Sequence, residues 1–492
     1  MITFGEFLPD QSAYGSKGTT VANNVIPSAV GYESMQDIAA FSTGAADGKI
    51  VSLFAAANDD GDVDLYAADR TKIYKYDTSD GSLDNISKSG NYSTDSADKP
   101  RFVQFGETVI CTNFADPIQK ITAAASGLFS DLSADAPKAK YISVVRDFVM
   151  TGFTDDTTDG KKPYRVRWSG IGDATSWAIS AATQADYQDI DDMGDVTGLV
   201  GGEYATILME KGIVRATYIG SPLIFQFDKV ETQRGCKVAG SVCNVGHSVF
   251  YLADDGFYMF DGEVSKPIGA EKVNRFFLED WNGEYANTMS ASADPLRQII
   301  VWSYTSNASS GGDPDKLIIY NYALDKWSTA SVGVDTLAAV YTAGYTLEEL
   351  DTAFGANLEL LPASLDGAVY RGGEFLFAAS KDKKIQTFTG DVLAATIETG
   401  EFEIQTGSFS TVNNIVPYVT LRENASGNVT AQVASRNRQI DTFTYGAASS
   451  LNDNNFIPVR SNGRYHRVRM NLTGGWKKAQ GIDVDAVTMG RR

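Results

Sequence analysis

Histidine is nearly missing from this chain: 492 residues contain two, His247 and His466. Side chains that exchange protons near neutral pH are mostly imidazoles, so histidine-based acid–base or metal chemistry has little to draw on. His247 precedes a strand-like run, and His466 falls on the apolar side of another. Both read as structural. Cysteine is also scarce. Cys111, Cys236 and Cys243 are odd in number and form no C-x-x-C pair, which argues against a disulfide framework or a zinc site and for buried free thiols. No apolar run approaches the length of a membrane span. The first residues, Met1 to Glu6, lack the basic start and apolar run of a signal peptide. P-loop, G-x-G-x-x-G and G-x-S-x-G patterns are missing as well.

Positive charge is in deficit. Lys and Arg number 42 against 62 Asp and Glu, a net charge of −20. Such a chain is poorly suited to wrapping DNA, because phosphate affinity comes from Lys and Arg. An acidic wall could still surround a duplex and let it slide; the plainer reading is solubility. The deficit is uneven. From Leu421 onward eleven basic residues (Arg422, Arg436, Arg438, Arg460, Arg464, Arg467, Arg469, Lys477, Lys478, Arg491, Arg492) face five acidic ones, giving +6, so residues 1–420 carry −26. That asymmetry suggests separate surfaces for separate partners.

What the chain has is β-pattern. At 43% hydrophobic and 21% charged it has an ordinary globular composition. Aromatic and β-branched residues alternate with polar ones, as half-buried strands require, and Gly, Asp and Asn punctuate them. A short aromatic strand followed by Asp or Asn recurs: Ile73 to Asp77, Gly256 to Gly262, Leu317 to Tyr322, and loosely Ala368 to Gly373. Repeated hairpins of this kind suit a β-propeller, although an unrelated series of hairpins would look similar. Two helical interruptions are expected, at 269–278 and from Thr346 to Phe354, the second with a capping-box spacing between Thr346 and Glu349. Asp155 to Lys162 and Thr305 to Lys316 read as long polar loops.

The expected organisation is mainly β: an extended arm or first strand at 1–30, a β-propeller-like domain with insertions at 31–395, and a β-sandwich or platform region at 396–492. In the last, Tyr465, Arg467, Arg469 and Asn471 alternate with His466, Val468, Met470 and Leu472, an amphipathic strand.

Carboxylates offer the remaining chemistry. Asp189, Asp191, Asp192 and Asp195 cluster, and paired carboxylates hydrolyse glycosides. Asn58 to Asp64 invites a calcium reading, but aligning Gly61 with the loop glycine puts Ala56 and Ala67 at ligand positions. A polar turn fits better. No catalytic, cofactor-binding or metal residue is assigned, no cofactor is expected, and the chain reads as a non-enzyme.

Five strings carry a resemblance: Arg101 to Lys120 (RFVQFGETVICTNFADPIQK), Arg165 to Trp177 (RVRWSGIGDATSW), Gly198 to Tyr204 (GLVGGEY), Ser221 to Phe227 (SPLIFQF) and Val249 to Gly269, which holds FYLADDGFY and DG. They resemble a family of phage and prophage structural proteins related to the tail nozzles and hubs of short-tailed bacteriophages, over about residues 20–330. The resemblance implies a propeller-containing virion protein made in the host cytoplasm. It would form a ring, expected to be a hexamer, below the portal and adaptor (the head-tail connector). Such a ring continues the channel for genome ejection, passes double-stranded DNA without sequence-specific binding, and anchors tail fibre or needle proteins. The alternative is a peripheral glycan-binding or receptor-binding tail protein.

Overall fold

The computed structural model describes residues 1–59, 63–124, 126–341, 375–422 and 427–490. Among them, seven four-stranded antiparallel units follow one another along the chain and close into a β-propeller. Blade 1 lies within residues 52–85, blade 2 within 101–131, blade 3 within 138–189, blade 4 within 196–231, blade 5 within 243–267 and blade 6 within 290–330. Blade 7 takes three strands from 336–387 and its outermost from Ala39–Ala40, which pairs with Lys384–Thr387. The ring is thus closed by the chain segment that precedes blade 1.

Seven apolar cores hold the ring, one between each pair of neighbouring blades. Blade 6 shows why the sequence does this. Its second strand, Ile299–Tyr304, is buried throughout. Successive side chains point to opposite faces, so Ile299 and Val301 enter the core shared with blade 7 while Ile300, Trp302 and Tyr304 enter the one shared with blade 5. A run apolar on both faces is what a strand buried on both sides requires. The recurrent aromatic theme has a common place: Ile73–Tyr76, Gly256–Phe260 and Lys316–Asn321 are each the third strand of a blade. The fourth instance, at 368–373, and the helix expected at 346–354 lie outside the described residues.

Residues 1–34 do not form a separate arm. Ile2–Thr3, Val25–Pro27 and Tyr32–Ser34 join Trp476–Thr488, Ser410–Leu421 and Ile457–Gly463 in one sheet. Thr19–Asn23 joins Ala395–Thr399, Tyr465–Gly474 and Gly427–Arg436 in a second. The two pack face to face through Val412, Ile415 and Ile482 against Val468, Met470 and Leu472, a β-sandwich. Thr19–Asn23 also runs parallel to the outer strand of blade 6, with Asn23 opposite Thr329. Blade 6 and the second sandwich sheet are therefore one continuous sheet, and the sandwich core merges with the core between blades 5 and 6.

Two local expectations change. The helix expected at 269–278 spans Asn274–Asp280, because a turn on the carbonyl of Gly269 precedes it and the Asp10 carboxylate accepts from the N–H groups of Arg275 and Phe276, both at 2.8 Å. The loop expected over 155–162 is mostly hairpin: Phe148–Asp156 and Gly160–Trp168 are strands joined by a turn in which Asp156 accepts from the N–H groups of Thr158 and Asp159. Thr305 to Lys316 does contain a loop, folded on itself by Asp315, which accepts from the backbone and hydroxyl of Ser306 at 2.7 Å.

Candidate interaction surfaces

The strings that carry the family resemblance are blade material. Residues 101–120 supply the first strands of blade 2, 165–177 the end of the third strand of blade 3 and the loop that follows it, 198–204 and 221–227 strands and turns of blade 4, and 249–269 most of blade 5. Trp168, Trp177, Phe225, Tyr258 and Phe260 are buried in inter-blade cores, and Phe227 is half-buried beside them. These residues build the scaffold; they do not converge on a reactive centre.

Two members of the acidic cluster are taken by cations. Asp189 takes both Nε and Nη2 of Arg165, at 2.6 and 3.0 Å, and Arg165 lies over the Tyr187 ring. Asp192 pairs with Lys229, which holds its carboxyl below the usual range. Asp195 is pushed up instead, by partial burial and by Glu210. Asp189 and Asp192, two of the clustered carboxylates that could have paired for glycoside hydrolysis, thus each bind a different base. Asp64 is also committed: it accepts from Tyr66 and from the Ala124 N–H and pairs with Lys75 at 2.8 Å. Asp60, Gly61 and Asp62 lie outside the described residues. Among the described residues no group of three or more metal-ligating side chains comes together.

His466 is fully buried in the sandwich, with Nε2 2.8 Å from Ser410 Oγ and Nδ1 2.8 Å from Ser435 Oγ; burial pushes its pKa down to about 4. It ties the two sheets as a neutral ring. His247 is exposed in the turn between the first two strands of blade 5. All three cysteines are free and buried, and burial raises each thiol, Cys236 to about 11 and Cys243 to about 12.

Much of the C-terminal positive charge is met internally. Glu398, itself buried, takes Arg467 at 3.4 Å and Arg469 at 2.8 Å, and accepts from Thr20 and Tyr445. Glu401 takes Arg436 at 2.6 Å, and Asp441 takes Arg438. The two outward arginines of the amphipathic strand 465–472 thus share one carboxylate of an adjoining segment, Glu398, whose place in the sequence gave no sign of it.

Two of the open concavities among the described residues join separate parts of the fold. A groove of about 730 Å³ between blades 2 and 3 is lined by Asp131, Asp135, Asp156, Lys138, Arg167 and Ile179. A cavity of about 510 Å³ where blade 6 meets the sandwich is lined by Ile26, Glu33, Arg297, Leu421, Arg422 and Lys477.

The propeller axis is bridged on one side. Segment 94–99, leading into blade 2, is held by Arg70 of blade 1, which donates to the carbonyls of Asp95 and Ser96, and by Lys140 of blade 3, paired with Asp98 at 2.9 Å. From the same segment Lys99 donates to the carbonyls of Thr288 and Met289, and Asn287 donates back to Ser96. Residues 287–289 lead into blade 6, on the far side of the ring from blade 2.

No family model and no curated protein matches the chain. Among solved structures it is similar to the Pan2 WD40 domain of Neurospora crassa (8% identity, 73% of this chain and 97% of that one, TM-score 0.39) and to the RRP9 WD40 repeats (9% identity, 62% and 88%, TM-score 0.34). The computationally designed Ika8 protein is a further likeness at 10% identity and TM-score 0.33, covering 75% of this chain and 99% of that one. These are likenesses of fold, and the propeller assignment rests on the strand pairing above.

Proposed function

We propose that this chain is a structural, non-enzymatic protein of a short-tailed phage tail, a nozzle or hub subunit that assembles as a ring around the ejection channel. The observation that carries the reading is where the family-like strings lie: they are the packed strands and turns of blades 2 to 5, so the resemblance extends through the architecture of the ring. Two features support it further. The sandwich is fused to blade 6 by a continuous sheet and a shared core, which suits a part that must transmit load. Asp189 and Asp192 of the clustered carboxylates are each held by a cation, which leaves that pair as scaffold.

In this reading the DNA path lies between copies. A duplex has a major groove that alone admits an α-helix about 10–12 Å across. It cannot thread an axis crossed by segment 94–99. The acidic surface of residues 1–420 then faces the lumen from outside each propeller and repels phosphate. Adaptor, fibre and needle proteins are its expected neighbours in the virion.

Reconstruction of intact particles by electron cryomicroscopy tests the proposal. Six copies around the tail axis below the adaptor are expected. A peripheral position would favour glycan binding, for which the open groove between blades 2 and 3 is the place to look, and absence from the particle would end the structural reading.

A further inference from the structure

The cavity between blade 6 and the sandwich is basic in a chain of net charge −20. Its cations come from three places: Arg297 from the first hairpin of blade 6, Arg422 from the end of one long sandwich strand and Lys477 from the start of the next. Their internal partners are weak. Arg297 reaches Asp294 only at 3.9 Å, and Arg422 reaches the Ser34 hydroxyl at 3.5 Å. Lys477 is exposed and has no ion pair among the described residues. Among the described residues Glu33 is the one carboxylate in the lining, and it is engaged from the side by Lys478 at 3.9 Å. Leu421, 42% exposed, adds an apolar wall.

The complementary surface is on the same chain. The outermost strand of blade 3, Asp186–Asp189, leaves one edge unpaired and runs into Asp191 and Asp192. Asp189 and Asp192 are taken by Arg165 and Lys229, but Asp186 and Asp191 have no cation at ion-pair distance among the described residues. Tyr187, 37% exposed, stands between them. Blade 3 is three blades from blade 6 in a seven-blade ring, nearly opposite. One molecule cannot bring the two surfaces together, and two copies can.

We infer that the basic cavity beside blade 6 receives the acidic outer edge of blade 3, residues 186–192, from a second copy of this chain. The contact is head-to-tail. Different patches on opposite sides of one subunit generate a closed ring when the rotation permits. Steering by opposite charges sets which surfaces meet. The inference rests on the ring reading above and names the surfaces that would build it.

The test uses the full chain and two neutralising double variants, Arg297→Ala with Lys477→Ala on the cavity side and Asp186→Asn with Asp191→Asn on the strip side. All four residues are at the surface, so thermal unfolding midpoints equal to the parent's verify the fold. Mass photometry and sedimentation velocity read the assembly. The parent chain should form multi-copy species that dissociate as salt is raised. Each double variant alone should lose at least tenfold in association. An equimolar mixture should give dimers and nothing larger, because each variant keeps one competent surface and the pair shares one intact contact. A parent chain that stays monomeric at every concentration reached, variants that assemble like the parent, or a mixture that regains full-size rings would each overturn the inference. Six copies on the tail axis in particles, together with any of those results, would leave the nozzle reading standing and move the contact to other surfaces.

Discussion

The amine of Lys99 donates to the carbonyl of Met289 at 3.0 Å, joining the segments that lead into blades 2 and 6 across the propeller axis. Burial pushes its pKa down to about 7, assisted by Arg101, Arg70 and Lys49. A lysine so lowered makes stability depend on pH. Between about 7 and its ordinary value of 10.5 the unfolded chain holds a proton that the folded chain has released, so stability rises with pH across that window and is flat below it. The slope is at most about 1.4 kcal/mol per pH unit. Lys99→Met should abolish that rise, measured as urea midpoints from pH 6.5 to 10.5. An unchanged slope would show that the amine keeps its proton in the folded state.

His466 makes a second pH dependence on the acid side. Its folded pKa is near 4 against an ordinary 6.5. Above pH 6.5 both states are neutral and the ring's hydrogen bonds to Ser410 and Ser435 contribute in full. As pH falls from 6.5 towards 4 the unfolded state gains a proton that the buried ring refuses, and roughly 3 kcal/mol is lost. His466→Gln should be less stable than the parent at pH 7 but show a shallower fall between pH 6.5 and 4. Equal slopes for the two proteins would place the acid sensitivity elsewhere.

Glu398 is the residue on which the sandwich charge balance turns. It is 2% exposed and binds Arg467 and Arg469 from one strand, Tyr445 from another and Thr20 from the N-terminal segment. Removing one partner of a buried ion pair costs about 3–5 kcal/mol, because the other charge stays buried and unpaired. Glu398→Ala should lower stability by about that much. Glu398→Gln keeps the side-chain volume and one acceptor oxygen, enough for one of the two guanidinium groups, and should cost less. Chemical denaturation of the two variants ranks them, and equal losses would mean that the cost lies in the lost charge and not in volume or hydrogen bonding.

The propeller was legible in the sequence because each blade repeats a simple physical pattern. Ile73 to Asp77 and Leu317 to Tyr322 look alike because both are third strands, flanked by cores on two sides. The amphipathic strand at 465–472 was legible for the same reason, since alternation alone decides which residues face inward. What was not legible depended on contacts between distant segments. Nothing local marks Asp10 as the cap of the helix at Asn274–Asp280, or Glu398 as the partner of Arg469. The N-terminal 34 residues carry weak periodicity because they are single strands added to two different sheets, and neither sheet is complete without partners from hundreds of residues away. The basic excess after Leu421 suggested a separate surface for a partner, and Arg436, Arg438, Arg467, Arg469 and Lys478 prove to be ion-paired at home. Of the candidate surfaces, the cavity beside blade 6 was invisible in advance, since Arg297, Arg422 and Lys477 meet only through the fold.

That division of labour predicts how the chain responds to truncation. Deleting residues 1–34 removes Thr19–Asn23, the strand that joins blade 6 to the sandwich, together with Phe4, Phe7, Val25 and Tyr32, which are buried in the shared core. A buried aromatic or aliphatic side chain is worth about 1.5–3 kcal/mol when fully removed from water, so losing four removes about 6–12 kcal/mol, comparable to the whole stability of an ordinary domain, and leaves sheet edges exposed. Ala39–Ala40 and the closure of blade 7 stay intact in this variant. The expected product is therefore a folded propeller carrying an unfolded, aggregation-prone C-terminal region. Limited proteolysis should give a resistant fragment ending near residue 390 from the truncated chain and none from the parent. A truncated chain as resistant as the parent would show that the sandwich closes without its N-terminal strands, and the continuous sheet from blade 6 would lose its role as the joint between the two parts.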